Sequence, residues 1–277
     1  MSTAGPKAAF ADRYGPWALV AGAAEGIGAA WAEALARRGL ALILVDRQAE
    51  KLAAAAARLA RAHAIDVHPI VLDLGDPGAV ERLIAGAGTR EVGLLVWNAA
   101  HSPVGGYLDL ASDAHERSLR VNCLGPALAV HHFARGMRGR GRGGVVLMSS
   151  LSGLQGAPLI AQYGATKAYN LVLAEGLWDE WREEGVDVLA VCPGATLTPG
   201  YLAARPTGAG WRAPPEMSAD AVVAEALAAL GRRPFVIPGR TNRLGAFLLG
   251  RVLSRTRAIR IMGRIARRLR AARAPGG

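Results

Sequence analysis

The sequence is poor in cysteine and in clustered metal ligands, which excludes several classes of site. It has two cysteines in 277 residues, Cys123 and Cys192, and both lie in apolar stretches. Neither has a histidine, cysteine or carboxylate neighbour at the spacing typical of metal ligands. We therefore expect no metal site, and we interpret both thiols as reduced core residues of a cytoplasmic protein.

Long apolar runs are also lacking. The N-terminus, MSTAGPKAAF, has no charged segment followed by an apolar one, as a signal peptide would have. No run reaches the roughly 18 apolar residues that indicate a transmembrane helix. Yet 51% of the residues are hydrophobic and 20% are charged, a composition typical of a chain with a large packed core and not of a disordered one.

Acidic residues are absent from the C-terminal segment. Residues 240–277 hold eleven arginines and no Asp or Glu, and these arginines account for the whole net charge of +11. On a helix, a set of apolar residues would share one side, namely Ala258, Ile261, Met262, Ile265 and Leu269. This basic amphipathic tail predicts peripheral contact with an anionic membrane. A solvated helix and a helix docked on the body or on a partner are the alternatives. Nucleic-acid binding would depend on the tail alone and is not expected.

Strand-length apolar runs alternate with helical periodicity across residues 15–239. The runs are 17–20, 42–45, 67–72, 93–96, 145–148, 186–191 and 235–237. They are apolar throughout, as strands covered on both faces are. The pattern predicts an α/β fold, a Rossmann-type doubly wound sheet of about seven parallel strands with helices on both faces.

One domain over residues 15–239 is the simplest organisation, with a flexible N-terminus at 1–14. Residues 194–217, rich in Pro, Gly and Ala, are interpreted as an irregular substrate flap. Two long helices are predicted over about 113–137 and 162–184. Ligands of such a sheet bind beyond the carboxyl ends of its strands, and the motifs described next all fall there.

A glycine-rich turn follows the first predicted strand. It reads Gly22-Ala-Ala-Glu-Gly26-Ile27-Gly28 and opens a helix. Glycine permits a tight turn and close approach of the backbone to a pyrophosphate, and the helix N-terminus offers free N–H groups to the phosphates. This strand–turn–helix context predicts a dinucleotide site.

The end of the second strand bears on the choice between NAD and NADP. Asp46 would accept hydrogen bonds from ribose hydroxyls and repel a 2′-phosphate. Glu25, within the glycine turn, adds a second carboxylate near that phosphate position. We therefore expect NAD, with NADP as the alternative because Arg47 could pair with a phosphate. Asp46 could also serve as the N-cap of the following helix.

Tyr163 and Lys167 are one helical turn apart and share one face. A cation at that distance stabilises a phenolate and lowers the tyrosine pKa. The pair can therefore give a proton to a carbonyl oxygen or take one from an alcohol.

Together these motifs resemble the short-chain dehydrogenase/reductase family over about residues 15–238. The G-x-x-x-G-x-G turn and the Y-x-x-x-K pair carry most of the resemblance. It implies that Ser150, thirteen residues before Tyr163, hydrogen-bonds the substrate oxygen, with Ser149 and Ser152 as second choices. It also implies that Asn122 holds a water that relays protons from Lys167.

The resemblance implies further cofactor contacts. Asp73, followed by Leu74, would bind the adenine amino group, and Asn98 would contact the cofactor ribose or stabilise the sheet. Asn98-Ala99-Ala100 resembles the family's N-N-A-G. The departures are Trp97, which stands just before this segment, and Ala100. Segment 193–198 resembles P-G-x-x-x-T and would hold the nicotinamide carboxamide. Its candidates are Pro193, Gly194, Thr198 and, as second choice, Thr196.

The expected activity is NAD(P)-dependent hydride transfer between the cofactor and an apolar secondary alcohol or ketone. One alternative is an NADPH-dependent reductase of 3-oxoacyl or steroid-like ketones. Another is a cofactor-sensing binding protein without turnover, which the complete set of Asn122, Ser150, Tyr163 and Lys167 disfavours. The family also implies a homodimer or tetramer.

Overall fold

A seven-stranded parallel sheet organises the protein. The computed structural model describes residues 6–204 and 215–271. Six long strands come in chain order: β1 (Trp17–Ala21), β2 (Ala41–Asp46), β3 (Val67–Val71), β4 (Val92–Trp97), β5 (Gly143–Met148) and β6 (Val186–Val191). Two short strands, β7 (Thr196–Leu197) and β8 (Met217–Ser218), pair with each other, and β9 (Phe235–Val236) joins the main sheet.

The main sheet has the order β3-β2-β1-β4-β5-β6-β9. The chain winds outward from β1 in one direction and then from β4 in the other, so the strand order reverses between these two neighbours. Beyond the carboxyl ends of strands at such a reversal, the flanking loops diverge and leave a crevice. The expected doubly wound parallel sheet is confirmed.

The helices cover both faces of the sheet. They are α1 (Pro6–Tyr14), α2 (Gly26–Ala36), α3 (Ala49–His63), α4 (Ala79–Ala87), α5 (Ser112–Leu119), α6 (Gly125–Arg140), α7 (Ala161–Trp181), α8 (Pro199–Ala204), α9 (Ala219–Ala229), α10 (Arg240–Phe247) and α11 (Arg255–Ala271). Buried residues of α2, α3 and α9 pack on one face. Buried residues of α4, α6 and α7 pack on the other.

The N-terminal segment differs from the flexible end expected over residues 1–14. From Pro6 to Tyr14 it forms helix α1. The Tyr14 side chain is buried, and its hydroxyl donates to Asp187 at 2.7 Å. Arg13 pairs with the same carboxylate at 2.9 Å. These contacts with a residue of β6 fix a segment whose own sequence gives no strong structural signal.

The helix predicted over about 113–137 is divided in three. Helices α5 and α6 are separated by a π-helical turn at Arg120–Leu124. At this turn the indole of Trp97 donates to the carbonyl of Val121 at 3.0 Å. A Cβ on Gly125 would lie 2.5 Å from the same indole, so glycine is needed where α6 passes over Trp97. Strand β3 also differs from expectation, because as an edge strand it is partly exposed.

The predicted flap is described at its two ends. Strand β7 and α8 begin it and β8 ends it, while residues 205–214 lie outside the described part. No helix of the described segments is long and apolar enough to cross a membrane. The same segments contain no group of three His, Cys, Asp or Glu side chains arranged to hold a metal ion.

The C-terminal tail is docked on the body. Asn242 of α10 is buried and donates to the Pro238 carbonyl at 2.8 Å. Ala258 of α11 is fully buried, and a Cβ on Gly263 would lie 3.5 Å from Pro158. Ile261 and Met262 are half-buried, so the apolar side expected to meet a membrane faces the protein at these positions. The side chains of Ile265 and Leu269 lie outside the described set.

Candidate active site

The glycine turn between β1 and α2 leaves no room for side chains. Gly22 and Gly26 have φ of +80° and +60°, a region that side chains disfavour. A Cβ on Gly28 would overlap the carbonyl oxygen of Gly22. The first turn of α2 therefore approaches the strand end closely and presents backbone N–H groups that a helix leaves unpaired. Ile27 lines the cleft at this point.

Asn98 fixes the end of β4 to that turn. Its Nδ2 donates to the Gly22 carbonyl at 2.8 Å. The backbone N–H groups of Asn98 and Ala99 both donate to the carbonyl of Ala21. The two strands at the reversal point are thus joined at their carboxyl ends, and the departure from the family motif at Trp97 leaves this junction intact.

Asp46 caps the loop around it and lies in the cleft lining. Its Oδ2 accepts from the Ala24 N–H at 3.0 Å and its Oδ1 from the Gln48 N–H at 3.1 Å. The N-cap of α3 is Gln48, so Asp46 does not cap that helix as the alternative interpretation held. Its carboxylate instead connects the glycine turn to the end of β2.

Asp73 forms a charge cluster that the sequence did not indicate. Arg117 of α5 donates to both of its carboxylate oxygens at 2.5 Å. Arg47 lies 3.7 Å from the same carboxylate. Although partial burial opposes it, pairing with Arg117 lowers the pKa of Asp73. Arg117 also lines the cleft, and an arginine in a polar helix carries no signal of such a role.

Glu25, the second carboxylate near this region, is paired as well. Its Oε2 accepts from Lys51 of α3 at 2.6 Å. Both residues are partly exposed, at 33% and 56% of their side-chain areas, so solvent screens the pair. At the margin of the cleft, Lys51 therefore lies beside the Glu25 carboxylate and Arg47 beside the Asp73 carboxylate.

Helix α7 places Tyr163 and Lys167 on one face at the cleft. The Lys167 Nζ lies 5.6 Å from the centroid of the Tyr163 ring. Lys167 is buried, and its Nζ donates to the Met148 carbonyl at 2.7 Å. Burial lowers the pKa of Lys167 to about 8, because a buried ammonium loses hydration. The ammonium group is thus held between the end of β5 and the tyrosine ring.

The loop after β5 distinguishes the three candidate serines. Burial raises the pKa of Tyr163, while a hydrogen bond with the Ser150 side chain opposes that rise. The Ser149 hydroxyl is buried and donates to the Lys167 carbonyl at 2.7 Å. Ser152 contributes its backbone N–H to the Ser150 hydroxyl at 3.1 Å. Ser150 is therefore the serine whose hydroxyl acts on the pKa of Tyr163, while Ser149 is the one of the three that lines the cleft.

Asn122 lies in the π-helical turn and is completely buried. Its Oδ1 accepts from the His101 N–H, and its Nδ2 donates to the His101 carbonyl, each at 2.8 Å. Nδ2 also donates to the Thr166 hydroxyl at 2.9 Å. Both amide hydrogens are used, so the side chain joins the loop after β4 to α7.

The loop after β6 crosses toward the glycine turn. Pro193 and Thr198 line the cleft, and a Cβ on Gly26 would lie 3.0 Å from the Thr198 methyl group. Thr196 is buried and donates to the Gly194 carbonyl at 3.1 Å. Gly194 packs against Asn242, since a Cβ there would lie 2.7 Å from Asn242 Oδ1. Asn242 was missed because nothing in the arginine-rich segment distinguishes it.

One cleft of about 500 Å³ brings most of the predicted residues together. Its lining includes Gly22, Gly26, Ile27, Asp46, Arg47, Asp73, Leu74, Asn98, Tyr163, Lys167, Pro193 and Thr198. Of the predicted set, Gly28, Asn122, Ser150, Gly194 and Thr196 are not in that lining. Of these, Gly28 packs against Gly22 and Asn122 is hydrogen-bonded to His101, both of which line the cleft. His101, also in the lining, has a pKa lowered by burial and by the positive charge of Arg117.

Comparison with known proteins gives consistent results. The model of the short chain dehydrogenase family matches residues 16–207. The 7beta-hydroxysteroid dehydrogenase of Collinsella aerofaciens is 32% identical over 234 residues, which cover 84% of this chain and 89% of that protein.

Solved structures agree. A structure from work on 7beta-hydroxysteroid dehydrogenase stereoselectivity has a TM-score of 0.85 at 29% identity, covering 91% of this chain and 98% of the other. A short-chain dehydrogenase from Sphingobium yanoikuyae in complex with NADPH has a TM-score of 0.71 at 32% identity, covering 80% and 87%. The chain belongs to the short-chain dehydrogenase/reductase family, and it is an oxidoreductase that transfers a hydride between a nicotinamide cofactor and an alcohol or carbonyl carbon.

Proposed function

We propose that Tyr163 is the proton donor and acceptor of this reaction. The observation that carries the proposal is its position between the Ser150 hydroxyl and the Lys167 ammonium, in the cleft that also contains the glycine turn. During reduction the Tyr163 hydroxyl gives its proton to the carbonyl oxygen, while the Ser150 hydroxyl donates a hydrogen bond to that oxygen. During oxidation the phenolate removes the alcohol proton.

Lys167 makes that proton transfer accessible near neutral pH. Burial raises the pKa of Tyr163, which by itself would leave very little phenolate near neutral pH to act as the base. A protonated Lys167 counteracts this, because a cation near the ring favours the phenolate. We propose that Asn122 is a positioning residue, since its amide holds the loop at His101 and Thr166 of α7. The water-mediated proton relay from Lys167 that the resemblance implies for Asn122 stays a prediction.

The residues present fit a nicotinamide dinucleotide, because Gly22, Gly26 and Gly28 form a tight turn that side chains would disrupt and that brings the N-terminus of α2, where a pyrophosphate would bind, to the cleft. The bound cofactor supplies or accepts the hydride. Leu74 and Asp73 would border the adenine, and Asn98 the ribose. The loop with Pro193, Gly194, Thr196 and Thr198 would orient the nicotinamide, with Thr198 in contact.

We propose that NAD is the preferred cofactor. The Asp46 carboxylate is fixed by two backbone N–H groups at the point where a 2′-phosphate would carry its charge. Arg47 is 65% exposed and lies near Asp73, so solvent and that carboxylate both weaken its pull on a phosphate. The similarity to an NADPH-bound enzyme keeps NADP as the alternative. Parallel titrations with NADH and NADPH, followed by tryptophan fluorescence, decide between the two.

The proposed substrate is a bulky apolar secondary alcohol or ketone of steroid-like shape. Similarity to 7beta-hydroxysteroid dehydrogenases over most of the chain supports this class. The loop leading to Tyr163 is also apolar, with Leu154, Pro158 and Leu159, and a hydrogen bond joins it to the loop after β4 at Gly105. Segment 194–217 would act as the flap over this substrate. A 3-oxoacyl ketone is the alternative.

A direct test compares Tyr163→Phe with the unchanged protein on a panel of hydroxysteroids and small alcohols. We expect turnover of a hydroxysteroid, and a fall of at least about 10²-fold in kcat for the variant with cofactor binding retained. Cofactor binding without turnover on any substrate would favour the cofactor-sensing alternative instead. Equal kcat for the two proteins would contradict the role of Tyr163.

We propose that the protein is a cytoplasmic homodimer, with a tetramer as the alternative assembly. Helix α5, the π-helical turn after it and α7 expose apolar side chains at Leu119, Leu124, Tyr169 and Val172. Exposed apolar groups on neighbouring helices are typical of an interface. Both cysteines are free, which fits a reducing compartment. Light scattering of Val172→Lys against the unchanged chain tests the assembly: a dimer that persists unaltered would contradict this interface.

A further inference from the structure

Helix α10 and the π-helical turn after it, Leu248–Val252, expose a row of large apolar side chains. Leu244, Phe247, Leu248 and Val252 are 59%, 57%, 44% and 61% exposed. Their spacing of three and four residues places them on one side of the helix. We call these four residues the tail ridge. A contiguous apolar row of this kind indicates a contact surface, whereas apolar residues scattered singly over a surface are normal.

The helix bearing the ridge is held firmly from its other side. Asn242 is buried and donates to the Pro238 carbonyl. Arg243 pairs with Glu225 at 2.7 Å and also donates to the Ile237 carbonyl. These contacts anchor α10 to the body through residues that alternate with the ridge. The ridge therefore points outward from a fixed helix.

The charges around the ridge are of one sign. Arg240 lies one turn before Leu244 in the same row, and Arg251 adjoins Val252. Both are exposed, as are Arg255 and Arg257. Within the described residues, none of these four arginines forms an ion pair with an acidic side chain. Residues 240–277 contain no Asp or Glu that could neutralise them.

We propose that the tail ridge docks on the surface of an anionic lipid bilayer, with the four apolar side chains in the boundary between headgroups and acyl chains and the arginines on lipid phosphates. An exposed apolar row flanked by arginine is the arrangement of interfacial helices. A second copy of the chain is disfavoured, because a two-fold contact through this ridge would bring two acid-free arginine sets together. Nucleic acid would pair with the arginines but leave the ridge exposed.

This surface is a different one from the apolar side of α11 described by the sequence pattern. Ala258 and Gly263 are buried against the body, so α11 contributes arginines and its docked face contributes no membrane contact. The proposal is also independent of the redox chemistry, because none of the four ridge residues lines the cleft.

The test is co-sedimentation of the full chain with vesicles of phosphatidylcholine, alone or mixed with phosphatidylserine. We expect binding to the mixed vesicles and little to the neutral ones. The double variant Phe247→Ser, Val252→Ser should lose at least about tenfold in bound fraction on the mixed vesicles. Val71→Ser, which alters an equally exposed valine on the edge strand β3, should bind like the unchanged chain.

A charge variant completes the design. Arg251→Gln with Arg255→Gln should weaken binding to the mixed vesicles, whereas Arg61→Gln on the exposed side of α3 should not. Turnover of a water-soluble substrate should be the same in all variants, which shows that they are folded. Equal sedimentation of the ridge variant and the unchanged chain overturns the proposal. So does a ridge variant that changes only the oligomeric state, or binding to duplex DNA without binding to vesicles.

Discussion

Arg117 holds the carboxylate of Asp73 with its guanidinium group, 2.5 Å from each oxygen, across 44 positions of the chain. This pair connects α5 to the loop after β3 inside the cleft, where the adenosine half of the cofactor is proposed to lie. A half-buried ion pair of this kind orients the carboxylate more than it stabilises the fold, because solvent still screens it.

Arg117→Gln should therefore weaken cofactor binding, by about tenfold in Kd, which corresponds to about 1.4 kcal/mol. Isothermal titration calorimetry with NADH measures it. Arg120→Gln is the matched control, because Arg120 pairs with Glu116 one turn away on the surface and does not line the cleft. If the two variants bind NADH equally well, Arg117 has no part in the adenosine site.

Ser149 and Ser150 are adjacent, but their hydroxyls have different partners. Ser150→Ala should lower kcat by about 10²–10³-fold, because a donor to the developing oxyanion is lost. It should also shift the pH profile of the oxidation rate to higher pH, since the hydrogen bond from Ser150 opposes the raised pKa of Tyr163.

The matched control for this prediction is Ser149→Ala. It removes a hydrogen bond to the Lys167 carbonyl and should cost about 1 kcal/mol in the free energy of unfolding. Its effect on kcat should be much smaller than that of Ser150→Ala. Steady-state rates and urea unfolding of both variants measure the two effects. A larger loss of kcat for Ser149→Ala would mean that the assignment of the serines is reversed.

Lys167 should make the stability of the cofactor-free protein depend on pH. Its folded-state pKa of about 8 lies below the ordinary value of 10.5. The unfolded chain therefore binds more protons than the folded one between these values, and stability rises with pH across that window. Below pH 8 both states are protonated, and the cost of burying the ammonium is fully present.

Lys167→Met removes that cost, so its stability relative to the unchanged chain should be higher at neutral pH than at about pH 9.5. Urea unfolding of both proteins at the two pH values gives the comparison. Because the other titrating groups are common to both chains, their contributions cancel in the difference. A difference in unfolding free energy that does not vary with pH would contradict a depressed pKa at Lys167.

The features that the sequence predicted correctly are those determined within short segments. The glycine turn is set by the conformations that Gly22 and Gly26 adopt, and strands β1, β2, β4 and β5 are set by apolar runs. The pairing of Tyr163 with Lys167 follows from helical periodicity. Each of these can be read from a few neighbouring residues, so each was predictable without knowledge of the tertiary structure.

The features that were missed depend on contacts between distant segments. The π-helical turn at Asn122 packs on Trp97. The Trp97 indole donates to the Val121 carbonyl and occupies the space that Gly125 leaves open. No local pattern relates residue 97 to residue 125. The inward face of α11 likewise depends on Pro158, a hundred residues earlier, and amphipathic periodicity alone does not tell which surface covers an apolar face.

Asp46 should set the cofactor preference through its charge. Asp46→Asn keeps the shape of the side chain and an oxygen for one backbone N–H, but it removes the negative charge that a 2′-phosphate would meet. We expect the ratio of kcat/KM for NADPH to that for NADH to rise by about tenfold, which corresponds to about 1.4 kcal/mol. Arg47 would then be the main charge beside the phosphate.

Glu50→Gln is the matched control for that substitution, because Glu50 is an exposed carboxylate in the first turn of α3 and does not line the cleft. It changes the net charge by the same amount, so a general electrostatic effect would appear in both variants. Raising the salt concentration should reduce the effect of Glu50→Gln more than that of Asp46→Asn, since charges at contact distance are screened least. An unchanged cofactor ratio in Asp46→Asn would mean that Arg47, Lys51 or the shape of the loop decides the preference, and the NAD proposal would lose its physical basis.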